Sequence, residues 1–206
     1  MHDAAEADPP RLLLASTSRH RRALLERLRV PFETAAPGFE ETFLPGEPPD
    51  ARARRLAEGK ARAAAERLSG PRALVIGSDQ VASLDGEVLS KPGTRERAVA
   101  QLLRARGRTL EFHTGVAVHD TASGRTHVDV EPFRARLRPL EEARIHRYVD
   151  LERPLDAAGA FYSEGLGIVL FEALEGRDPT ALVGLPLVTL VDLFAEAGVA
   201  VLDLAR

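Results

Sequence analysis

The sequence predicts an α/β fold built on a mixed sheet, and three observations carry that expectation. Short apolar runs of strand length interleave with helical stretches rich in Ala, Arg and Leu, one neighbouring pair of runs alternates with a period of two, and nothing reads as a repeat or a disordered linker. The 206 residues, 44% of them hydrophobic, are enough to bury most of the apolar surface in one domain or two closely joined lobes. Residues 1–10 read as a disordered N-terminus and 11–206 as a single domain of two lobes.

Arg11-Leu12-Leu13-Leu14-Ala15-Ser16 has the length of a buried strand, and Ser16-Thr17-Ser18 is placed to cap an Arg-rich helix carrying Leu24, Leu25 and Leu28. A Pro-, Gly- and Glu-rich loop over 37–49 precedes a second helix over about 50–68. Ala73-Leu74-Val75-Ile76-Gly77 reads as a buried strand that ends on the polar residues Ser78-Asp79-Gln80. Asp85-Gly86 marks a hairpin turn, and a helix is expected over 94–105. Alternating runs over 109–120 and 126–138, joined at Ser123-Gly124, predict an antiparallel ribbon. Two last helices are expected over 140–152 and 180–198, with a Gly-rich stretch over 155–167 between them and a closing strand over 199–202.

Composition excludes several classes of function. A formal net charge of −3 with 29% charged residues gives no basic field for a nucleic-acid polymer or an anionic membrane, and no apolar stretch reaches the ~20 residues that span a bilayer. The absence of cysteine rules out disulfides, thiolate metal sites and a Cys nucleophile, and fits a reducing compartment. The first ten residues lack the basic start and apolar core of a signal peptide, so the expected location is the cytoplasm. His2, His20, His113, His119, His127 and His146 show no paired zinc-ligand spacing.

Polar chemistry gathers in three places. At Ser16-Thr17-Ser18-Arg19-His20-Arg21-Arg22, a helix start with hydroxyls and guanidinium groups suits phosphate oxygens, and equally describes a capped, solvated basic helix. Asp79, at the polar end of an apolar strand, is placed to hold a divalent cation or orient a water, or simply to form a turn. Glu40, Glu41 and Lys60 fit the same chemistry as metal carboxylates and a phosphate-facing ammonium. The third place is 156–167, whose glycines and small residues let a flat ligand approach the backbone. Its plainer reading is a surface loop.

In this order the segments resemble the Maf family of nucleotide pyrophosphatases over residues 12–194. The motifs are Leu14-Ala15-Ser16-Thr17-Ser18 with Arg21-Arg22, Glu41-Thr42, Lys60-Ala61, Gly77-Ser78-Asp79-Gln80, Lys91-Pro92, Thr114-Gly115, Ala158-Gly159-Ala160-Phe161 and Val183-Gly184-Leu185-Pro186. The resemblance implies a Maf/ITPase-like fold, an elongated mixed sheet flanked by helices with a cleft between two lobes, in a homodimer. It implies a small-molecule nucleotide substrate and a divalent cation, Mg²⁺, Mn²⁺ or Co²⁺. Carried over residue by residue, it makes Asp79 the general base and, with Glu41, a metal ligand. Ser16, Ser18, Arg21, Arg22, Lys60 and Lys91 then face the phosphates.

Branches of the family differ in base preference. A branch acting on dTTP and UTP typically reads Gly-Ala-Asp-Thr at the catalytic strand, Ser-Pro-Arg-Arg at the first helix and Gln in the Gly-rich loop; here the corresponding positions are Gln80, His20 and Glu164. Gln80, Glu164 and Glu175-Gly176-Arg177-Asp178-Pro179 resemble instead a branch acting on 7-methyl-GTP. That branch usually has Pro-Trp where this chain has Arg19-His20. A carboxylate at Glu164 suits the donor edge of guanine and the positive charge that N7 methylation confers. The expected function is therefore hydrolysis of 7-methyl-GTP to 7-methyl-GMP and pyrophosphate. The alternatives are a pyrophosphatase for dTTP, UTP or modified pyrimidine nucleotides, and a nucleotide-binding regulator of division or septum formation.

Overall fold

A computed structural model describes residues 9–42 and 44–206. The expectation for the N-terminal ten residues thus falls almost wholly outside the described residues. The chain order is β1 (Arg11–Ala15), α1 (Arg19–Glu26), β2 (Glu33–Ala35), α2 (Pro49–Ala65), β3 (Ala73–Leu84), β4 (Glu87–Leu89), α3 (Arg95–Ala105), β5 (Thr109–Asp120), β6 (Thr126–Leu137) and α4 (Glu142–Glu152). Then follow a 3₁₀ turn (Leu166–Leu170), β7 (Phe171–Glu175), a second 3₁₀ turn (Pro179–Val183), α5 (Leu187–Glu196) and α6 (Val201–Leu204).

One open seven-stranded sheet runs β2-β1-β3-β5-β6-β7, with β4 paired to β3. It is mixed as expected: β1 pairs in parallel with β2 and β3, and the β3–β5, β5–β6 and β6–β7 ladders are antiparallel. Strand β3 pairs with β5 over Leu74–Ser83, but on its other edge β1 covers 73–76 and β4 covers 82–84. The segment 77–81 is left between them, and Asp79 sits in that gap.

Two large clusters of buried apolar side chains lie on either side of it. One joins β1, α1 and α5 to the first half of β3 through Leu14, Leu25, Ile76, Leu190 and Phe194. The other joins α3, α4 and the first 3₁₀ turn to the far half of β3 through Leu84, Leu102, Ile145 and Leu170. No helix among the described residues is long and apolar enough to cross a membrane.

Three sequence expectations are corrected. Strand β3 does not stop at Gly77; Ser78–Leu84 continues it because β5 supplies partners all along. The helix expected over 180–198 is two elements, broken where Gly184 adopts φ +113° and Pro186 follows. Residues 199–202 form no closing strand: Val201–Leu204 is a short helix, and a four-residue apolar run cannot distinguish the two by periodicity. Strand β7 was not anticipated.

Candidate active site

Strand β1 lies between β2 and β3, so the connection leaving β1 runs to one side of it and the connection leaving β2 crosses back to the other. A crevice at the carboxyl ends of the strands on either side of such a point is where open α/β sheets bind ligands. Here it is a cleft of about 1230 Å³ lined by the β1–α1 junction, one side of α2, the middle of β3 and the loops around Lys91, Tyr162 and Val183.

The floor of the cleft is a three-residue charge cluster. Lys60 Nζ lies 2.6 Å from Asp79 Oδ1 and 2.6 Å from Glu41 Oε1. Lys60 reaches there because α2 lies directly on the sheet, a placement dictated by two glycines in strand interiors. A Cβ on Gly77 would come within 2.2 Å of the Ala57 carbonyl oxygen, and one on Gly115 within 2.2 Å of the Ala53 carbonyl oxygen. Ala53, Ala57 and Ala61, four residues apart, form the facing stripe of the helix. Lys60 is only 6% exposed, so two carboxylates offset the cost of desolvating its ammonium.

Burial, the largest influence on the Glu41 carboxyl, works to raise its pKa. The hydrogen bond and charge of Lys60, with the charges of Lys91 and Arg21, outweigh it and hold the group below the usual range. Both carboxylates approach one nitrogen, so their oxygens are no farther apart than twice 2.6 Å. Two converging carboxylates, completed by phosphate oxygens and water, are a donor set that Mg²⁺ uses, so these residues fit a hard cation. Among the described residues no three His, Asp or Glu side chains form a metal cluster on their own.

Above the floor, Ser18 caps α1 and accepts from the Arg21 N–H at 3.4 Å, while Ser16 Oγ accepts from the Ser18 N–H at 3.1 Å. Arg21 Nε donates to the Gly184 carbonyl at 2.8 Å, which also accepts from Ser78 Oγ at 2.9 Å. One carbonyl thus fixes the guanidinium against β3, where it feels the charges of Asp79 and Glu41. Burial lowers the Arg21 pKa against the pull of those carboxylates, though an arginine stays charged in any case.

Ser16, Ser18, Arg21, Lys60, Lys91, Glu41 and Asp79 all line the cleft. Arg22 does not. One residue further round the helix, it is exposed and pairs with Glu26 at 3.0 Å, outside the residues that line the cleft.

The three residues proposed to read the base also line the cleft. His20 Nδ1 is 2.6 Å from Glu164 Oε1, and the His20 ring stacks on Tyr162 with centroids 5.6 Å apart and planes at 21°. Gln80 is engaged differently from expectation: its Nε2 donates to the carbonyls of Ala181 (2.8 Å) and Leu182 (3.1 Å) and to Thr114 Oγ1 (3.2 Å). It therefore anchors the second 3₁₀ turn to β3.

Glu175-Gly176-Arg177-Asp178-Pro179 is likewise a brace. Arg177 donates to Glu131 at 2.8 Å and to Thr189 Oγ1 at 2.7 Å. Asp178 accepts from Thr180 and from the Val188 N–H (2.7 Å), tying the 3₁₀ turn to the start of α5. Asp156 and Tyr162, from the Gly-rich stretch 156–167, line the cleft, and so does Arg52, which lies outside the sequence candidates. For Arg52 a signal existed, since it precedes Leu56 and Lys60 at intervals of four on α2.

Residues 11–197 match the Maf family, described as Maf-like protein. A 7-methyl-GTP pyrophosphatase of Burkholderia thailandensis is 52% identical over 203 residues, covering 98% of this chain and 94% of its own. Proteins of the same name from Pseudomonas aeruginosa and Aromatoleum aromaticum are 53% and 54% identical, covering 92% and 91% of this chain and 98% and 96% of theirs.

Proposed function

The chain belongs to the Maf family, and from that premise we propose that it hydrolyses 7-methyl-GTP to 7-methyl-GMP and pyrophosphate in the cleft formed by the β1–α1 junction, α2 and the middle of β3. The observation that carries the reading is the Lys60, Asp79 and Glu41 cluster beneath Arg21 and a capped helix start: a carboxylate flanked by fixed cations in a cleft of nucleotide size. The names of the relatives point to the same substrate.

In the mechanism that follows, the triphosphate lies against the α1 N-terminus, where Ser16, Ser18 and the first N–H groups meet its oxygens. Arg21 and Lys91 offset the charge that develops on the leaving pyrophosphate. Lys60 donates to Asp79 Oδ1, and because a carboxylate has about four lone-pair sites, Asp79 keeps capacity to accept from a water. The water oxygen attacks the α-phosphorus and its proton passes to Asp79. The bond from the α-phosphorus to the bridging oxygen breaks, and pyrophosphate departs with the electron pair. Glu41 and Asp79 would hold a divalent cation, which when bound supplies further neutralisation of the phosphate oxygens. A nucleotide substrate and a chain without cysteine fit the cytoplasm.

The test is pyrophosphate release from 7-methyl-GTP, GTP, dTTP and UTP with Mg²⁺, Mn²⁺ or Co²⁺, and again in excess chelator. Fastest release from 7-methyl-GTP, stopped by chelation, is expected. Preference for dTTP or UTP would replace the substrate assignment, and orthophosphate as first product would end the pyrophosphatase reading.

A further inference from the structure

In the same cleft, two rings and two carboxylates are assembled from separate parts of the chain. His20 comes from the first turn of α1, and Tyr162 from the loop preceding the first 3₁₀ turn. They stack with centroids 5.6 Å apart and planes at 21°, and both residues line the cleft, so the pair offers an outer ring face on which a further flat ring can stack. Each ring is tied to its own acid. His20 Nδ1 is 2.6 Å from Glu164 Oε1, and the Tyr162 hydroxyl donates to Asp156 Oδ1. Arg19 Nε donates to His20 Nε2 at 3.2 Å, so each ring nitrogen of His20 has a polar neighbour.

The loop carrying Tyr162 is fixed at several points. Phe161 is buried with edge-to-face contacts to Phe112 (5.5 Å) and Phe171 (4.6 Å). The Tyr162 N–H donates to the Tyr148 hydroxyl at 3.4 Å, and the Gly93 N–H donates to the Leu155 carbonyl at 2.8 Å. The ring position is therefore held by the fold on both sides and does not await a ligand.

We propose that the His20–Tyr162 ring pair is the platform on which the base lies, and that Tyr162, with Asp156 as the residue that positions it, selects a flat base carrying positive charge. The inference rests on the nucleotide reading of the cleft and assigns its charge preference to residues outside the phosphate site. A cation over an aromatic face is attracted by the ring quadrupole, and an adjacent carboxylate adds to that attraction. Glu164 and Asp156 provide two such carboxylates beside the rings, each tied directly to one of them, while the cations Lys91 and Arg19 act on Asp156 through their charge alone. Burial and the Asp156 hydrogen bond push the Tyr162 hydroxyl up to about 12, so it remains a donor and Asp156 remains its acceptor. An uncharged guanine stacks on the same surface without the charge term, so methylation at N7 is read as charge.

The experiment measures binding of 7-methyl-GMP and GMP by titration calorimetry to the full chain and to Tyr162→Leu, Tyr162→Phe, Asp156→Asn and His20→Leu. Wild type is expected to prefer 7-methyl-GMP, and Tyr162→Leu to reduce the ratio of affinities by about 3- to 30-fold. His20→Leu gives the same readout from the other ring. Tyr162→Phe keeps the ring and most of the preference, while Asp156→Asn lowers the ratio by about 1.5- to 5-fold.

An unchanged ratio in Tyr162→Leu, or an equal loss of both ligands, overturns the proposal. Binding needs no turnover, so the two readings fail separately. Wild type that prefers 7-methyl-GMP but releases no pyrophosphate removes the hydrolase reading and supports this one. Wild type that hydrolyses 7-methyl-GTP but binds both monophosphates equally does the reverse.

Discussion

Lys60 and Asp79 are nineteen residues apart in sequence, yet the ammonium of one lies 2.6 Å from the carboxylate of the other at the floor of the cleft. Their meeting depends on α2 approaching the sheet closely enough for the lysine to reach the gap in β3, and both the chemistry and the fold of the site turn on that approach.

Replacing Asp79 by asparagine keeps the shape and a hydrogen-bond acceptor for Lys60 but removes the group that takes the water's proton. Loss of a general base costs ~10²–10⁴-fold in turnover, so Asp79→Asn is expected to retain the wild-type circular dichroism spectrum and lose activity in that range. A folded variant within a few-fold of wild type would show that another group accepts the proton.

The close approach of α2 is open to test at Gly77. A methyl group there would meet the Ala57 carbonyl oxygen at 2.2 Å and the Ala61 nitrogen at 2.6 Å, both backbone atoms that cannot rotate away. Gly77→Ala is expected to destabilise the chain by about 1–3 kcal/mol, as overpacking does. Because the helix must lift, it should also lower turnover by displacing Lys60. Urea unfolding and kcat measured together check this, and a variant with both unchanged would mean that the helix is not held by this contact.

Much of this architecture is legible in the sequence, and the misses have physical reasons. The β1–α1 junction is visible because an apolar run followed by Ser-Thr-Ser is a local signal that needs no partner. The antiparallel ribbon of β5 and β6 is visible because its period-two alternation survives over both strands. The polarity of Ser78, Asp79 and Gln80 reads as a strand end; the strand continues because β5 pairs with it throughout, and the polar side chains are satisfied by Gly115, Lys60 and Thr114. Helix over 180–198 was expected although Gly184 and Pro186 were present as break signals. The pairing of Tyr162 with His20 joins positions 142 residues apart and has no local signature at all.

Arg21 and Arg22 are adjacent but differently placed: Arg21 lines the cleft and Arg22 does not. Arg21 uses Nε on the Gly184 carbonyl, and in the proposed function its terminal nitrogens meet the phosphates, a division a lysine cannot reproduce. Arg21→Lys is expected to lower kcat/KM by roughly 10- to 100-fold, the cost of charge-assisted hydrogen bonds to phosphate. Arg22→Ala loses only an exposed pair with Glu26 and should stay within about 2-fold. Steady-state kinetics of both variants decide the matter, and the reverse order would place Arg22 on the substrate.

The depressed pKa of Glu41 has a consequence for stability. A carboxylate whose folded pKa is lowered stabilises the fold above its unfolded value, about 4.3, and that contribution is lost as pH falls through the folded value. The difference in urea midpoint between wild type and Glu41→Gln should therefore be full above about pH 4.3 and close progressively below it. A difference that is constant with pH would contradict the pairing of Glu41 with Lys60.

The central claim, water attack on the α-phosphorus, is tested most directly by hydrolysing 7-methyl-GTP in ¹⁸O-water and analysing both products by mass spectrometry. The expected result is one ¹⁸O atom in 7-methyl-GMP and none in the pyrophosphate. Label in the pyrophosphate, or orthophosphate as the first labelled product, would place the attack on another phosphorus and contradict the role assigned to Asp79 and the cations around it.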